Sequence, residues 1–272
     1  MYDKVDVLLQ NVAQQIQRQG YSEMHVNWLA LNLDTLTSCF LDRGMDLQLD
    51  ENKARAWMET VTAVATSTPF AKQFTWFIPM ASKLPMWVLE RLTPEVSRLV
   101  KLRREMHVQA TEAVALYSPD QTTQEKPRTK SELFSTILSS PVLDACEKEP
   151  SRISQEAFVV LVAGSDTTAQ ILTTGIFHIL NNETAVMPRL RQELEQVMPD
   201  SHTRASVQEL EKLPWLTAVG MTLRNILLDS EIFEDPESFR PERWLADNPD
   251  LAHINRYFLP FGRGSRMCIG VK

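Results

Sequence analysis

At 272 residues, 43% apolar and 23% charged, the chain has the size for one large domain or two ordinary ones and the balance of an ordinary globular protein. A net charge of −7 leaves no basic surplus to neutralise phosphates, which excludes nucleic acid as a partner. Three scattered cysteines (Cys39, Cys146, Cys268) exclude a disulfide framework and point to a reducing compartment, and five histidines without ligand spacing argue against a structural zinc site.

The first twenty residues carry charge from Asp3 onward and have no uninterrupted apolar core, so neither a signal peptide nor a membrane anchor is expected there. Val5, Leu8, Leu9, Val12 and Ile16 instead follow the 3–4 spacing of an amphipathic helix. The same periodicity predicts helices over 24–44, 52–66, 84–117, 131–146, 154–181, 184–198 and 206–228. Lys101, Arg103 and Arg104 read as a solvated face of the third of these. The polar stretch 117–130 holds two prolines and reads as a surface connection. Ser206 and Glu209 fit a capping box at a helix start. From Asp235 onward the pattern dissolves into Pro- and Arg-rich loop. Glycines number only 8 and alternating patterns are scarce, so the fold class is mainly α, with few or no strands.

The helix predicted over 154–181 is apolar on every side, which predicts a long central buried helix. Its length also suits a bilayer span over 157–180, at roughly 20 residues per crossing. Asp166 in mid-helix, among Ser165, Thr167, Thr168 and Gln170, disfavours contact with lipid. Gly164 costs about 1 kcal/mol against Ala in a helix interior. Small residues at Ala163 and Gly164 would let a flat ligand approach the backbone. Thr167 is placed to hydrogen-bond back to a carbonyl and open a local bulge, into which Asp166 would pass protons. An accommodated polar kink explains the same residues without chemistry.

The chain closes on FLPFGRGSRMCIGVK, residues 258–272. A thiolate that binds iron needs its charge stabilised and its backbone close to the metal's plane. Gly264 and Gly270 allow a tight turn and room for a macrocycle, Arg266 suits a carboxylate on the ligand, and Phe261 would shield the sulfur. A lone cysteine in a Gly/Arg tail is ordinarily inert. Here Phe261, Gly264, Arg266, Cys268 and Gly270 hold five places of one spacing.

That spacing resembles the haem-thiolate signature F-x-x-G-x-R-x-C-x-G of the cytochrome P450 family at every fixed position. AGSDTT (163–168) resembles the same family's oxygen-activating segment, and DPESFRPERW (235–244) its meander, with Arg243 as the structural arginine. The order of the three motifs is also the family's. The segment LPWLTAVGMTLRN and the run from Trp244 to Gly270 look most like filamentous-fungal members, which oxidise terpenoids or polyketides in secondary metabolism.

The resemblance implies a single partial cytochrome P450 domain over 1–272 that binds haem b (iron protoporphyrin IX). Cys268 would be the axial iron ligand, Arg266 would meet a haem propionate, and Asp166 and Thr167 would deliver protons to dioxygen. Ala163 and Gly164 would lie against the macrocycle. The implied reaction is monooxygenation of a small hydrophobic substrate by O2, with electrons from NADPH through a separate NADPH–cytochrome P450 reductase. Membrane association at the cytoplasmic face of the endoplasmic reticulum is implied for the family. Without the anchor, a cytoplasmic location is the other expectation.

Two departures stand against that implication. The family's E-x-x-R reads Met221-Thr222-Leu223-Arg224 here, so Arg224 and Arg243, if they converge, would meet without their carboxylate, a costly arrangement when buried. The chain also runs almost directly from Arg224 into the meander, and the early helices, the strands after Arg224, and the C-terminal helix and strands of a full member are expected to be unrepresented. An inactive relic of such an enzyme, or a non-catalytic helical binding protein, is therefore carried as the alternative.

Overall fold

The computed structural model describes residues 2–41, 43–76, 80, 84–117, 131–200, 203–218, 228–262, 267–268 and 270. The described helices are α1 (Tyr2–Gln19), α2 (Met24–Phe40), α3 (Glu51–Gln73), α4 (Met86–Leu92), α5 (Pro94–Leu116), α6 (Glu132–Ser139), α7 (Pro150–Asn181), α8 (Met187–Val197), α9 (Val207–Leu210), α10 (Pro214–Ala218) and α11 (Leu251–Ile254). No strand occurs among the described residues, as the periodicity predicted.

Prolines set most of the differences from the predicted boundaries. The helix expected over 84–117 divides at Thr93, and Pro94 begins α5, where its missing N–H is no loss. Pro214 likewise opens α10, so the helix expected over 206–228 divides before it, and 219–227 of that expectation lie outside the described residues. The segment 131–146 holds α6 and then a 3₁₀ turn, Ala145–Lys148, beyond Pro141. The capping box is present: the Ser206 hydroxyl accepts from the Glu209 N–H at 3.3 Å, and the Glu209 carboxylate accepts from the Ser206 N–H at 2.7 Å.

Two compact units form, Met1–Gln170 and Ile171–Lys272. In the first, α2 buries Val26, Leu29, Ala30 and Leu33 at helical spacing against Ala54, Trp57 and Val61 of α3. Leu102, Met106 and Ala110 of α5, Phe134 and Leu138 of α6, and Ile153, Ala157 and Leu161 of α7 complete the core. The buried Asp34 carboxylate accepts the N–H groups of Leu47 and Gln48 at 2.8 and 2.9 Å, fixing the 3₁₀ turn Leu47–Leu49 beneath α2. Ser131 caps α6 by accepting the Phe134 N–H at 3.1 Å and donates to the Phe40 carbonyl, which anchors the start of α6 beside the end of α2.

The second unit has a smaller core. Phe233 and Ile254 are buried, with Trp244, Leu251 and Phe258 packed around them, and the Trp244 and Phe258 rings lie 4.4 Å apart. Glu193 of α8 accepts the N–H groups of Trp215 and Leu216 at the start of α10, and the Arg189 guanidinium covers the Trp215 ring at 4.7 Å.

α7 buries one stripe, Ile153, Ser154, Ala157, Leu161, Ser165 and Ala169, while Val159, Leu172, Phe177 and Leu180 are exposed. Of the described helices, α7 alone is long and apolar enough to cross a membrane by length and composition.

Candidate active site

The polar run of α7 is held by α2. Residues His25, Asn32 and Leu36 stand 7 and 4 positions apart, so they share one face of α2. Each meets a different residue of α7. His25 Nε2 lies 3.0 Å from the Asp166 carboxylate, and Asn32 Nδ2 donates to the Ser165 carbonyl at 3.3 Å. A Cβ built on Gly164 would stand 2.8 Å from a Leu36 methyl, so the missing side chain leaves room for the end of that side chain. The sequence assigned Gly164 to a flat ligand. The structure brings the Leu36 side chain of α2 against it.

The adjacent face of α7 is open. Val159, Ala163 and Thr167 recur at four-residue spacing and all are exposed. The Thr167 hydroxyl donates to the Ala163 carbonyl at 2.7 Å, the back-bond expected from its position. The expected bulge does not form: α7 runs unbroken from Pro150 to Asn181, because a carbonyl has a second lone pair for the hydroxyl. Ser165 is fully buried and its hydroxyl donates to the Val162 carbonyl at 3.3 Å.

The cysteine loop stands on the core of the second unit through Phe258. Gly262 turns the chain at φ +74°, and its N–H donates to the Leu259 carbonyl at 3.0 Å. Cys268 N–H then donates to the Phe261 carbonyl at 2.9 Å, closing the loop on itself. The Cys268 thiol is exposed and accepts the Gly270 N–H at 3.4 Å. A Cβ on Gly270 would sit 3.7 Å from that sulfur, an ordinary contact, so Gly270 is not demanded by space at Sγ. Gly264 and Arg266 lie outside the described residues.

Arg243 organises the meander by itself. Its guanidinium donates to the carbonyls of Arg240 at 3.2 Å, Glu234 at 3.0 Å, Asp235 at 3.1 Å and Ser238 at 3.2 Å. Asp235 sits at φ +48°, the left-handed turn that lets its carbonyl join the set. Burial lowers the guanidinium's pKa from its ordinary value, and the charge of Arg240 adds to the effect. Four backbone carbonyls surround the Arg243 guanidinium, and the charges of Asp235, Glu234 and Glu242 act on it as well. Arg224 lies outside the described residues.

Two positions of this geometry escaped the sequence reading. Gly262 was signalled only by its place between Phe261 and Arg263, and His25, a single histidine opening α2, gave no signal at all. An amide-lined cleft of about 510 Å³ between α1, α2 and α3 is lined by none of the predicted site residues, Asn11, Gln15, Asn27 and Gln48 among its walls.

The chain matches the family model described as Cytochrome P450 over residues 1–220 and 217–272. It is 28% identical to the tryptophan 6-hydroxylase fscE of Fusarium equiseti over 88% of this chain and 52% of that protein. Identity to the fusicoccadiene C-8 hydroxylase of Phomopsis amygdali is 31%, over 79% of this chain and 48% of the relative. The cytochrome P450 monooxygenase sdnE of Sordaria araneosa is 27% identical over the full chain and 61% of its own length. The chain therefore spans about half the length of the curated relatives it matches.

Proposed function

This chain belongs to the cytochrome P450 family, and we propose that the protein it represents is a haem-thiolate monooxygenase of fungal secondary metabolism. The reaction is RH + O2 + NADPH + H⁺ → ROH + H2O + NADP⁺, with electrons relayed by a separate reductase. The single observation that carries the reading is the Gly270 N–H directed at an exposed Cys268 sulfur, in a loop closed by the Cys268 N–H on the Phe261 carbonyl. The closed loop holds the sulfur in place and exposure leaves it reachable by a metal, which supports Cys268 as a haem ligand.

When bound, haem iron supplies the reduction and cleavage of dioxygen. Cys268 would hold it, Arg266 would pair with a propionate, and Phe261, Gly264 and Gly270 would shape the turn beneath the ring. On α7, Ala163 and Thr167 present an open face, and Asp166 beside them is a proton donor of suitable type. Gly164 leaves room for the end of the Leu36 side chain of α2. Arg243 shapes the meander through its four carbonyl partners. The substrate is a small hydrophobic molecule, with a terpenoid or polyketide as the favoured class. Relatives named for hydroxylating tryptophan and fusicoccadiene span enough chemistry that the pocket, not the haem loop, sets the choice.

The reduced carbon-monoxide difference spectrum tests the reading. The haem-loaded chain is expected to show a red-shifted Soret band, and Cys268→Ala to lose it completely. A chain that takes up no haem, or whose spectrum is unchanged in Cys268→Ala, would refute the assignment and leave a helical binding protein.

A further inference from the structure

We infer that His25 is a positioning residue for Asp166, fixing the carboxylate that supplies protons to the site; the inference rests on the monooxygenase reading above. The two residues are 141 positions apart, yet His25 Nε2 and the Asp166 carboxylate meet at 3.0 Å. Both side chains keep partial access to solvent, 24% for His25 and 37% for Asp166. A carboxylate on a free helix face samples several rotamers, whereas one tied to an imidazole keeps one oxygen engaged and the other in a defined direction. The anchor is itself rigid. His25 lies in the first turn of α2, on the face that also supplies Asn32 to the Ser165 carbonyl and Leu36 to the space left by Gly164. Three consecutive residues of α7 are thus each gripped by the same stripe of α2. Thr167, the next residue, is held by the Ala163 carbonyl instead.

The function of such a residue shows in where electrons go. With reductase and NADPH but no organic substrate, dioxygen leaves either as peroxide (O2 + NADPH + H⁺ → H2O2 + NADP⁺) or as water (O2 + 2 NADPH + 2 H⁺ → 2 H2O + 2 NADP⁺). Slower proton supply raises the peroxide share. In the haem-loaded chain, His25→Leu is expected to raise the ratio of peroxide to water roughly tenfold, a part of the 10²–10⁴ that proton transfer contributes. His25→Gln, whose amide N–H can still donate to Asp166, is expected to stay within about twofold of the parent. Independently of haem, the imidazole NMR resonances of His25 should move in Asp166→Asn while those of the other four histidines stay in place. If the parent forms no haem-thiolate spectrum, the monooxygenase reading falls and takes this role with it. If the spectrum forms and His25→Leu leaves the ratio unchanged, or slows all turnover without changing it, the positioning role alone is overturned. Unmoved His25 resonances in Asp166→Asn overturn the contact itself.

Discussion

The polar run of α7 and the cysteine loop were equally visible as motifs, but they are held in opposite ways. Asp166, Ser165 and Gly164 depend on His25, Asn32 and Leu36, all on a helix far away in sequence. Cys268 depends on Phe261 and Gly270, and Arg243 on Arg240, Glu234, Asp235 and Ser238, all within ten residues. A site half built from distant partners exists only when its unit is folded. One built from near neighbours specifies its own geometry, and there a short spacing in the sequence carries most of the information.

The largest effect should come where one side chain supplies a whole local framework. Arg243→Lys replaces a planar fork bonded to four carbonyls by an ammonium with three donors and a different shape. Those carbonyls are solvent-exposed and water can replace a lost partner, so the change is expected to cost about 1–2 kcal/mol. Hydrogen exchange read peptide by peptide should rise over 234–244 and in the second unit, with α2 and α7 up to Gln170 unchanged. Equal loosening of the first unit would show that the meander is not self-contained.

The long-range half should respond through packing. Gly164→Ala gains up to about 1 kcal/mol of helix propensity but drives a Cβ to 2.8 Å from a Leu36 methyl. That methyl is the far end of a flexible side chain, so a shift of the Leu36 rotamer relieves the contact at about 0.5–1.5 kcal/mol. The two effects nearly cancel: Gly164→Ala is expected within about 0.5 kcal/mol of the parent in denaturant midpoint analysis, and Leu36→Val in the same chain should move it toward stability. If Gly164→Ala alone gains the full ~1 kcal/mol of helix propensity, Leu36 does not press on Gly164.

These contrasts explain what could be read in advance. The helices announced themselves by periodicity, and the Ser206–Glu209 cap and the Thr167 back-bond were legible because each lies within four residues. The divisions at Thr93 and before Pro214 were missed because the apolar spacing continues through them, while the proline decides where hydrogen bonding restarts. The contact of Gly164 with Leu36 was not legible because nothing nearby in sequence predicts Leu36. His25 was passed over for the same reason: a contact across 141 residues has no local signature.

The smallest expected effect compares the two units through their acids. In the first, Glu51 accepts from Arg18 at 2.8 Å and Arg55 at 3.1 Å, tying α1 to the start of α3. The hydrogen bond from Arg18 holds its carboxyl below the ordinary carboxylate value, against the opposing effect of partial burial, with Arg55 adding to the lowering. In the second, Glu209 is held below that value by the Ser206 hydroxyl and N–H. Because both are lowered on folding, each contributes stability that is present above the unfolded-state value and lost as pH falls through the folded-state one. For the half-exposed Glu51 network, Glu51→Gln should lower stability by about 0.5 kcal/mol near neutral pH. The difference should vanish in acid, and also in about 1 M salt, where screening acts within a few ångströms. The Glu209 contribution should fade in acid but persist in salt, because it rests on hydrogen bonds to uncharged groups. A Glu51 effect that survives high salt would mean that its worth lies in local hydrogen bonding too, and the contrast between the two units would not extend to their charges.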